Sequence, residues 1–458
     1  MIAPNLLLRR SLYRGLRALS RWQHFIDQRL TPLGRFTLAA GFAAGVFGID
    51  TRMNLLHQAF AFAVALLMVG GLSAKIVQWR LKGQFRANRV LPRYASVGAP
   101  VSYPVRLSVN NRKLIPGCFI EERLPDPRPS LEQFLRARLL DEGGWNRFDQ
   151  AMGYPRWRQL IRRNRQGERM TPRPLTAPIE QGQLTERLQL RPLRRGYLRL
   201  SAVLLSRPDP LGLFRAKTEL ACEQALLVLP KRYPVPHLDL PGRRQYQPGG
   251  MTLASSIGDS QEFIGLREYR SGDSPRNIHW PSWARSGKPQ IKEYQDEFFT
   301  RHALILDSFA ADSLDPRFEA AVSVAASLCE SIQDGESLLD LIFVGIDAYC
   351  FTTGRGLAGT EQFLEILACA RTCTDQPFER LEQSVSQRVG LMSAAICILL
   401  DFDEPRRAMI RHLEGDGLPL MVLLIASERD SARLLDGWSG AKPVVLRPDH
   451  LAEDLTRL

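Results

Sequence analysis

The sequence predicts a multidomain α+β membrane protein, and three observations carry that prediction. Two apolar segments, at about 33–49 and 55–74, lie near the N-terminus with only five residues between them. From about 95 to 235, apolar residues recur at alternate positions, which is the period of a half-buried β-strand. From 301 to 458, continuous apolar runs alternate with helical patterns, which is typical of a parallel sheet covered by helices.

The two apolar segments predict a transmembrane hairpin at 33–75. The second has the length of a span. The continuous apolar run of the first, 36–49, is short for a span, although Leu30 and Leu33 extend it. Basic residues flank the pair on both sides, whereas only Arg52 lies between the segments. Because basic flanks stay in the cytoplasm, we expect an inner-membrane protein with both termini and the large domains cytoplasmic. A buried helical hairpin in a soluble protein is the alternative.

Residues 1–32 predict a basic amphipathic helix. Leucines recur at steps of three and four at Leu12, Leu16 and Leu19, and arginines fill the positions between them. The position just before an apolar segment favours a helix lying on the membrane surface, and packing on a neighbouring domain is the alternative. A cleaved signal peptide is not expected, because the apolar stretch at 6–8 is too short.

The positive charge is concentrated next to the apolar segments. Residues 1–95 hold 14 lysines and arginines against two acids, so the remaining residues are nearly neutral although the whole chain carries +13. This distribution indicates an anionic lipid membrane as a partner and argues against nucleic acid. A second arginine-rich stretch, 156–173, lies in a predicted helical insertion at about 126–175. Lipid headgroups, a second protein and plain solvation remain open for it.

The cysteines predict neither disulfides nor a metal site. Seven cysteines show no disulfide spacing, which is typical of reduced cytoplasmic protein. Cys369 and Cys373 stand four apart on a predicted helix, but no nearby His or Cys completes a tetrahedral set. We expect them to be buried thiols.

The segment 236–300 contains the densest combination of charged, aromatic and turn residues, at 262–294. Residues 271–275, Ser-Gly-Asp-Ser-Pro, predict a turn. After it, Ile278 and Trp280 alternate with polar residues, which predicts a strand leaving a charged turn. We call 262–294 the signature hairpin.

Two blocks of sequence resemble a known family. The first is the spacing of Gly272-Asp273, Arg276, Ile278, Trp280, Ala284-Arg285 and Lys292. The second is Arg195-Gly196-Tyr197, Asp209-Pro210-Leu211-Gly212-Leu213-Phe214 and Leu227-Val228-Leu229-Pro230. Both resemble the domain-of-unknown-function 58 (DUF58) family of bacterial proteins, in the expected order over roughly residues 75–458. One departure is His279, where the family pattern has an acidic residue.

The resemblance implies a fold and partners. It implies an immunoglobulin-like or fibronectin-like β-sandwich at 95–235 and a von Willebrand factor A-like (Rossmann-like) domain at 301–458. It also implies a MoxR-type AAA+ ATPase as partner, and a transglutaminase-like membrane protein acting beside it in the assembly or maturation of envelope proteins.

The signature hairpin has three interpretations. In the first, Arg276 and Arg285 form buried ion pairs with carboxylates such as Glu268 and Asp273, and Trp280 and Trp283 fill the space beneath. In the second, arginine and tryptophan are exposed and dock a protein partner. In the third, His279 and Asp273 belong to a hydrolase, although the sequence pairs no nucleophile with a base. The residues with a binding or structural role are Glu268, Asp273, Arg276, Trp280, Arg285 and Lys292.

The C-terminal domain predicts a degenerate metal site. Many von Willebrand A-like domains hold a divalent cation with Asp-x-Ser-x-Ser after the first strand. Here Asp307 keeps the carboxylate, but Phe309 and Ala311 replace the two hydroxyl residues. No metal or other cofactor is therefore expected. Asp401 and Asp403 follow a later strand, where Asp403 is placed to cap the next helix.

Together these patterns predict a non-enzymatic, membrane-anchored scaffold or adaptor that binds protein. No phosphate-binding loop, nucleophile elbow or His-Glu-x-x-His motif occurs in the sequence. The alternatives are a hydrolase centred on the signature hairpin and, second, a nucleic-acid-binding protein.

Overall fold

The structure is a computed structural model. It describes residues 5–47, 54–110, 116–136, 146–168, 170–176, 182–236, 238, 262–273, 275, 278–295, 301–310, 312, 315–332, 338–345, 347–353, 359–440 and 442–458. The fold is mixed α/β and divides into two compact units. The first comprises residues 1–231 and 364–369, and the second comprises 232–363 and 370–458.

The first unit begins with three helices. They are α1 (Asn5–Arg29), α2 (Pro32–Phe47) and α3 (Asn54–Leu81). The predicted amphipathic helix is thus present as α1. Within the described residues, α3 is the one helix long and apolar enough to cross a membrane, over Leu55–Leu81, and α2 is a shorter apolar helix. The two-span hairpin stays a prediction.

Small residues let α2 and α3 pack closely. A Cβ added at Gly41 would lie 3.0 Å from Cβ of Ala63, and one at Gly45 would lie 3.0 Å from the ring of Phe60. The order of these contacts runs in opposite directions along the two helices. Close approach through glycine is a common way for apolar helices to associate.

Strands and a helical insertion complete the first unit. The strands that precede the insertion are β1 (Phe85–Arg89), β2 (Tyr94–Ser96), β3 (Val101–Val109) and β4 (Phe119–Glu122). The insertion contains α4 (Leu131–Arg136), α5 (Arg147–Met152) and α6 (Tyr154–Asn164). The strands that follow are β5 (Gly167–Glu168), β6 (Arg173–Pro174), β7 (Gln183–Pro192), β8 (Gly196–Pro208) and β9 (Arg215–Leu229).

These strands form two sheets that share one hydrophobic core. One sheet has the order β1-β3-β7-β5, and the other β2-β9-β8-β4-β6. Tyr103, Val105 and Leu107 of β3 are buried between exposed or half-buried neighbours, as period-two alternation predicts. They belong to the same core cluster as Leu198 and Leu200 of β8.

The third helix runs into this core without a break. Leu81, its last residue, is fully buried in the shared core, and Val77 packs against the same cluster. The apolar helix and the two sheets are therefore one packed body.

A buried polar network lies inside the first unit. The guanidinium of Arg89 donates to Glu122 Oε1 over 2.8 Å and to the carbonyl of Cys222 over 2.8 Å. Tyr103 donates its hydroxyl to the second oxygen of Glu122 over 2.7 Å. Burial raises the pKa of Glu122 to about 6, against the opposing effects of Arg89 and Tyr103.

The turn between β8 and β9 binds the apolar helices. We call residues 209–214 the docked turn. Thr31 donates its backbone N–H to the carbonyl of Leu213 over 3.0 Å, and Ser73 of α3 donates to Asp209 Oδ2 over 3.2 Å. A Cβ added at Gly34 would lie only 2.1 Å from the Leu213 carbonyl oxygen. The second sequence block is thus the place where sheet and helices meet.

The second unit opens with a hairpin and continues as alternating strands and helices. The hairpin consists of β10 (Glu262–Glu268), α7 (Trp280–Ser286) and β11 (Gln290–Gln295). The elements that follow are β12 (Arg301–Leu306), α8 (Pro316–Ser331), β13 (Leu338–Val344), β14 (Ala348–Thr353), α9 (Thr360–Cys369), α10 (Glu379–Ser386), β15 (Ala394–Leu399), α11 (Glu404–Gly415), β16 (Leu420–Ile425), α12 (Glu428–Leu434), β17 (Val444–Leu446) and α13 (Leu451–Leu455).

The larger sheet of this unit is mostly parallel, as predicted. Its order is β14-β13-β12-β15-β16-β17, and every neighbouring pair is parallel except β13 with β14. All six residues of the central strand β15 are buried, which fits a strand covered on both faces. Counted within this sheet, the order is 3-2-1-4-5-6, so a topological switch point lies between the ends of β12 and β15.

No disulfide joins any of the seven cysteines. Cys373 is buried as expected, but Cys369 is exposed, which corrects the prediction for that residue. Because Cys369 is the last residue of α9, the helix no longer covers its side chain.

Candidate functional site

The signature hairpin is held by a turn that the Asp273 carboxylate organises. Strands β10 and β11 pair antiparallel, with Leu266 opposite Lys292. Asp273 accepts one hydrogen bond from each terminal nitrogen of Arg267, both over 2.7 Å, and a third from the backbone N–H of Arg270 over 2.8 Å. The hydrogen bonds from Arg267 lower the pKa of Asp273 to about 2. The carboxylate is therefore a fixed anion at neutral pH.

The ion pairs differ from those expected from the sequence. Asp273 binds Arg267, and Glu268 binds Lys288 over 3.3 Å on the exposed surface. Arg285 is exposed on α7, and no carboxylate among the described side chains lies within ion-pairing distance of it. The buried ion pair expected for Arg285 is thus wrong, because its helix presents it to solvent. Arg276 lies outside the described residues.

A helix replaces the predicted strand after the turn. Ile278 makes one isolated bridge to Ile291, and α7 begins at Trp280. Pro281 explains this difference, because proline in the first turn lacks only an N–H that the helix does not use. Gly287, in the left-handed region at φ 69°, ends the helix.

Helix α7 presents aromatic surface to solvent. The ring of Trp280 stacks on that of Trp283, with centroids 5.3 Å apart, yet Trp280 is 61% exposed. Leu266 and Tyr269 are exposed close by in the chain. Trp280 therefore does not fill the space beneath the turn. The first of the three interpretations, with buried ion pairs and a buried tryptophan, is thus wrong for this residue as well.

The hairpin contains one nucleophile next to a base. His279 Nδ1 lies 2.6 Å from Ser282 Oγ, and the backbone of His279 bonds to Gln290 and Trp283. The sequence interpretation missed this pair because it looked for a carboxylate with His279. Asp273, the acid then considered, binds Arg267 instead. Spacing of three residues at a helix start is the signal that identifies the pair.

A second candidate site lies at the topological switch point of the large sheet. Asp307 follows β12 and is fully buried. Its Oδ2 accepts from Nε of Arg406 over 2.7 Å and from the backbone N–H of Leu400 over 3.0 Å, and its Oδ1 accepts from the N–H of Phe309 over 2.9 Å. Both carboxylate oxygens are therefore engaged.

The guanidinium of Arg406 stands where a cation would balance Asp307. It also donates to Asp403 Oδ2 over 2.8 Å and lies 4.6 Å from the ring centroid of Phe378. Burial works to lower the pKa of Arg406, but the carboxylates of Asp307 and Asp403 raise it above its ordinary value. The cationic side chain thus neutralises Asp307 at the switch point, a contact that sequence spacing does not show because 99 residues separate the pair.

The neighbouring acids have structural roles. Asp403 caps α11 by accepting from the N–H of Arg406 over 3.3 Å, as predicted. Asp401 accepts from the N–H of Phe402 over 2.8 Å. No group of three or more His, Cys, Asp or Glu side chains suited to a metal occurs among the residues that the structure describes.

These features define a class of protein: a mixed α/β chain with an apolar N-terminal helix and an exposed hairpin that is both basic and aromatic. Residues 265–397 match the family model described as protein of unknown function DUF58. The match covers the signature from Gly265 and the sheet as far as β15, so residues 265–397 are similar to the DUF58 family. It spans less than a third of the chain. No curated protein matches the sequence.

Proposed function

We propose that the protein is a non-enzymatic, membrane-anchored cytoplasmic scaffold or adaptor that binds protein partners through its signature hairpin. The observation that carries this proposal is the exposure of Trp280 and Arg285 on α7. Tryptophan and arginine dominate the binding energy of many protein interfaces.

The charge of the hairpin favours an acidic protein surface as its partner. Arg267 and Lys288 are neutralised within the hairpin by Asp273 and Glu268. Arg270 and Arg285 are exposed and form no ion pair with the carboxylates that the structure describes, and Lys292 is half-buried on β11. Acidic groups opposite these cations would speed association and fix the orientation of the partner.

For the partner itself we propose a MoxR-type AAA+ ATPase, with a transglutaminase-like membrane protein as a further component in the assembly or maturation of envelope proteins. The similarity of residues 265–397 to the DUF58 family supports this proposal. We further propose that the second unit is von Willebrand factor A-like and the first an immunoglobulin-like sandwich. The strand order of the large sheet and the shared core of the two smaller sheets support these assignments.

The anchoring part of the proposal rests on α3. Its length and apolar composition suit a membrane span, and we propose that α2 completes a second crossing beside it. The basic residues before α2 and after α3 then place both termini in the cytoplasm, facing an anionic leaflet of the inner membrane.

Binding of a MoxR-type ATPase to the full-length protein in detergent tests the docking role. We expect Trp280→Ala and Arg285→Ala each to raise the dissociation constant by about tenfold or more, which is the loss of about 1.4 kcal/mol. The melting temperature should hardly change, because exposed substitutions usually stay within about 0.5 kcal/mol.

Arg411→Ala is the matched control, since Arg411 is an exposed arginine on α11 outside the hairpin. Unchanged binding in both hairpin variants would contradict docking at this surface. A marked drop in melting temperature would instead favour the structural interpretation.

A hydrolase is the second candidate, because His279 Nδ1 lies 2.6 Å from Ser282 Oγ. A serine activated by a histidine reacts with a fluorophosphonate. If the pair is catalytic, the probe labels the full-length protein and Ser282→Ala abolishes the labelling, whereas Ser286→Ala leaves it intact. On the adaptor proposal we expect no labelling at Ser282, and mass spectrometry of the treated protein measures it.

A further inference from the structure

Helix α1 carries two apolar faces, and the helical insertion covers one of them. Tyr13 is buried between Phe134 of α4 and Trp157 of α6, with ring centroids 5.7 and 5.8 Å away. Its hydroxyl donates to the carbonyl of Pro129 over 3.2 Å. Leu160 and the partly buried Leu16 complete this cluster, which we call the α1 clamp.

The other apolar face of α1 is bare. Leu19, Trp22 and Phe25 are 56%, 66% and 54% exposed, and the rings of Trp22 and Phe25 meet edge to face at 6.5 Å. Trp22 follows Tyr13 by nine residues, which at 3.6 residues per turn is about half a turn out of phase. The clamp therefore holds the helix from the side opposite the bare face.

The two ends of α1 fix its place beside the apolar helices. Only Leu30 and Thr31 separate α1 from α2, and Thr31 is bound to the docked turn through its N–H and its hydroxyl. Arg29 donates to Gln78 Oε1 of α3 over 3.2 Å. At its other end the clamp ties α1 to the insertion. The helix thus lies along the unit at the point where the apolar helices begin.

The charge of α1 complements an anionic surface. Its sequence contains six arginines and one acid, Asp27, which is paired with Arg35 over 3.3 Å. Arg14, Arg17 and Arg21 are exposed and follow one flank of the helix, between the clamped face and the bare face. An aromatic face with arginines beside it is the composition of helices that lie in a membrane interface.

We propose that the helical insertion is a brace that presses α1 onto the bilayer, with Leu19, Trp22 and Phe25 among the acyl chains and the flanking arginines on anionic phospholipid headgroups. This inference rests on the proposed membrane anchoring, and it assigns a role to the insertion that the scaffold function alone does not require. The occupant of the bare face is lipid, and a protein partner there is the competing outcome of the test.

Quenching of Trp22 by brominated lipid tests the proposal in the full-length protein. The chain is reconstituted into vesicles in which either phosphatidylglycerol or phosphatidylcholine carries bromine in its acyl chains. The difference in fluorescence between the wild-type protein and Trp22→Phe gives the contribution of Trp22. We expect both lipids to quench this contribution, and brominated phosphatidylglycerol to quench it more strongly because the arginines enrich anionic lipid around α1.

Two variants test the arginine–headgroup contacts and the α1 clamp separately. The double variant Arg14→Gln and Arg21→Gln should lose the preference for phosphatidylglycerol while quenching persists. Arg17 is left in place because it donates to the hydroxyl of Tyr13 in the clamp over 3.2 Å. Phe134→Ala opens the clamp and should reduce quenching of Trp22 by both lipids. Trp438→Phe is the control, because the Trp438 ring packs on Phe402 in the second unit and its contribution should remain unquenched.

A Trp22 contribution that neither lipid quenches would overturn the proposal and indicate a face covered by protein. Alkaline carbonate extraction distinguishes this failure from a failure of membrane anchoring. A chain that resists extraction with Trp22 unquenched refutes only the brace, whereas a chain released into the soluble fraction refutes the anchoring proposal itself. Quenching that Phe134→Ala leaves unchanged would refute the role of the clamp.

Discussion

Arg406→Met is expected to destabilise the large sheet by about 3–5 kcal/mol, because it leaves the buried Asp307 carboxylate without its cation. Hydrogen exchange measures this effect separately for the second unit. Protection of the amides in β12 and β15 should fall by about 100-fold or more, since each 1.4 kcal/mol is a factor of ten. The amide of Leu400 is the most direct reporter, because it donates to Asp307.

Two matched variants test whether the unpaired Asp307 carboxylate causes the loss of amide protection in Arg406→Met. Arg411→Met removes an arginine from the same helix, but its pair with Glu404 is exposed, so we expect about 0.5 kcal/mol or less. Asp307→Asn combined with Arg406→Met removes both charges and should recover much of the lost protection. Equal protection in wild type and Arg406→Met would contradict the role given to this pair.

Gly34→Ala is expected to release the docked turn from the apolar helices. Its added methyl group would lie 2.1 Å from the carbonyl oxygen of Leu213, which is backbone and has no side-chain rotation to relieve the overlap. Overpacking of this kind costs about 1–3 kcal/mol and more where backbone must move. Thr31 donates its N–H to the same carbonyl, so its amide should exchange faster with solvent.

Gly15→Ala is the control for this change. Gly15 is a helical glycine of α1 with no atom within 4 Å of an added Cβ, so alanine should leave the docked turn intact and stabilise the helix by about 0.5–1 kcal/mol. Wild-type protection of Thr31 and Phe214 in Gly34→Ala would contradict the prediction, because it would show that the contact between α2 and the docked turn accommodates the added methyl group.

The elements that the sequence predicted best are those with a long, regular pattern. Leucines and arginines alternate over many turns of α1, and its observed bounds, Asn5–Arg29, lie within the predicted 1–32. The runs of β3, β8 and β15 were equally clear, because burial on one or both faces leaves a period that propensity does not override. The cap at Asp403 followed from local chemistry alone.

The parts that sequence reasoning missed depend on short patterns or distant contacts. Ile278 and Trp280 supplied too few alternating positions to outweigh Pro281, and a helix formed where a strand was expected. The partner of Asp273 proved to be Arg267, six residues earlier on β10, because the turn after that strand folds the carboxylate back towards it. Arg406 reaches Asp307 only through the order of strands β12 and β15, which no local spacing encodes.

Helix α3 continues without a break into the core of the two sheets, and this limits the directions from which a protein partner can reach the first unit. From Ser73, which binds the docked turn, to Leu81 in the core is eight residues, or about 12 Å of helix. The polar layer on each side of a bilayer is only about 5–8 Å thick. On the proposed anchoring, this unit therefore has no stalk and stands close above the lipid. A partner then has no room beneath it and reaches it from the flanks or from the cytoplasmic end.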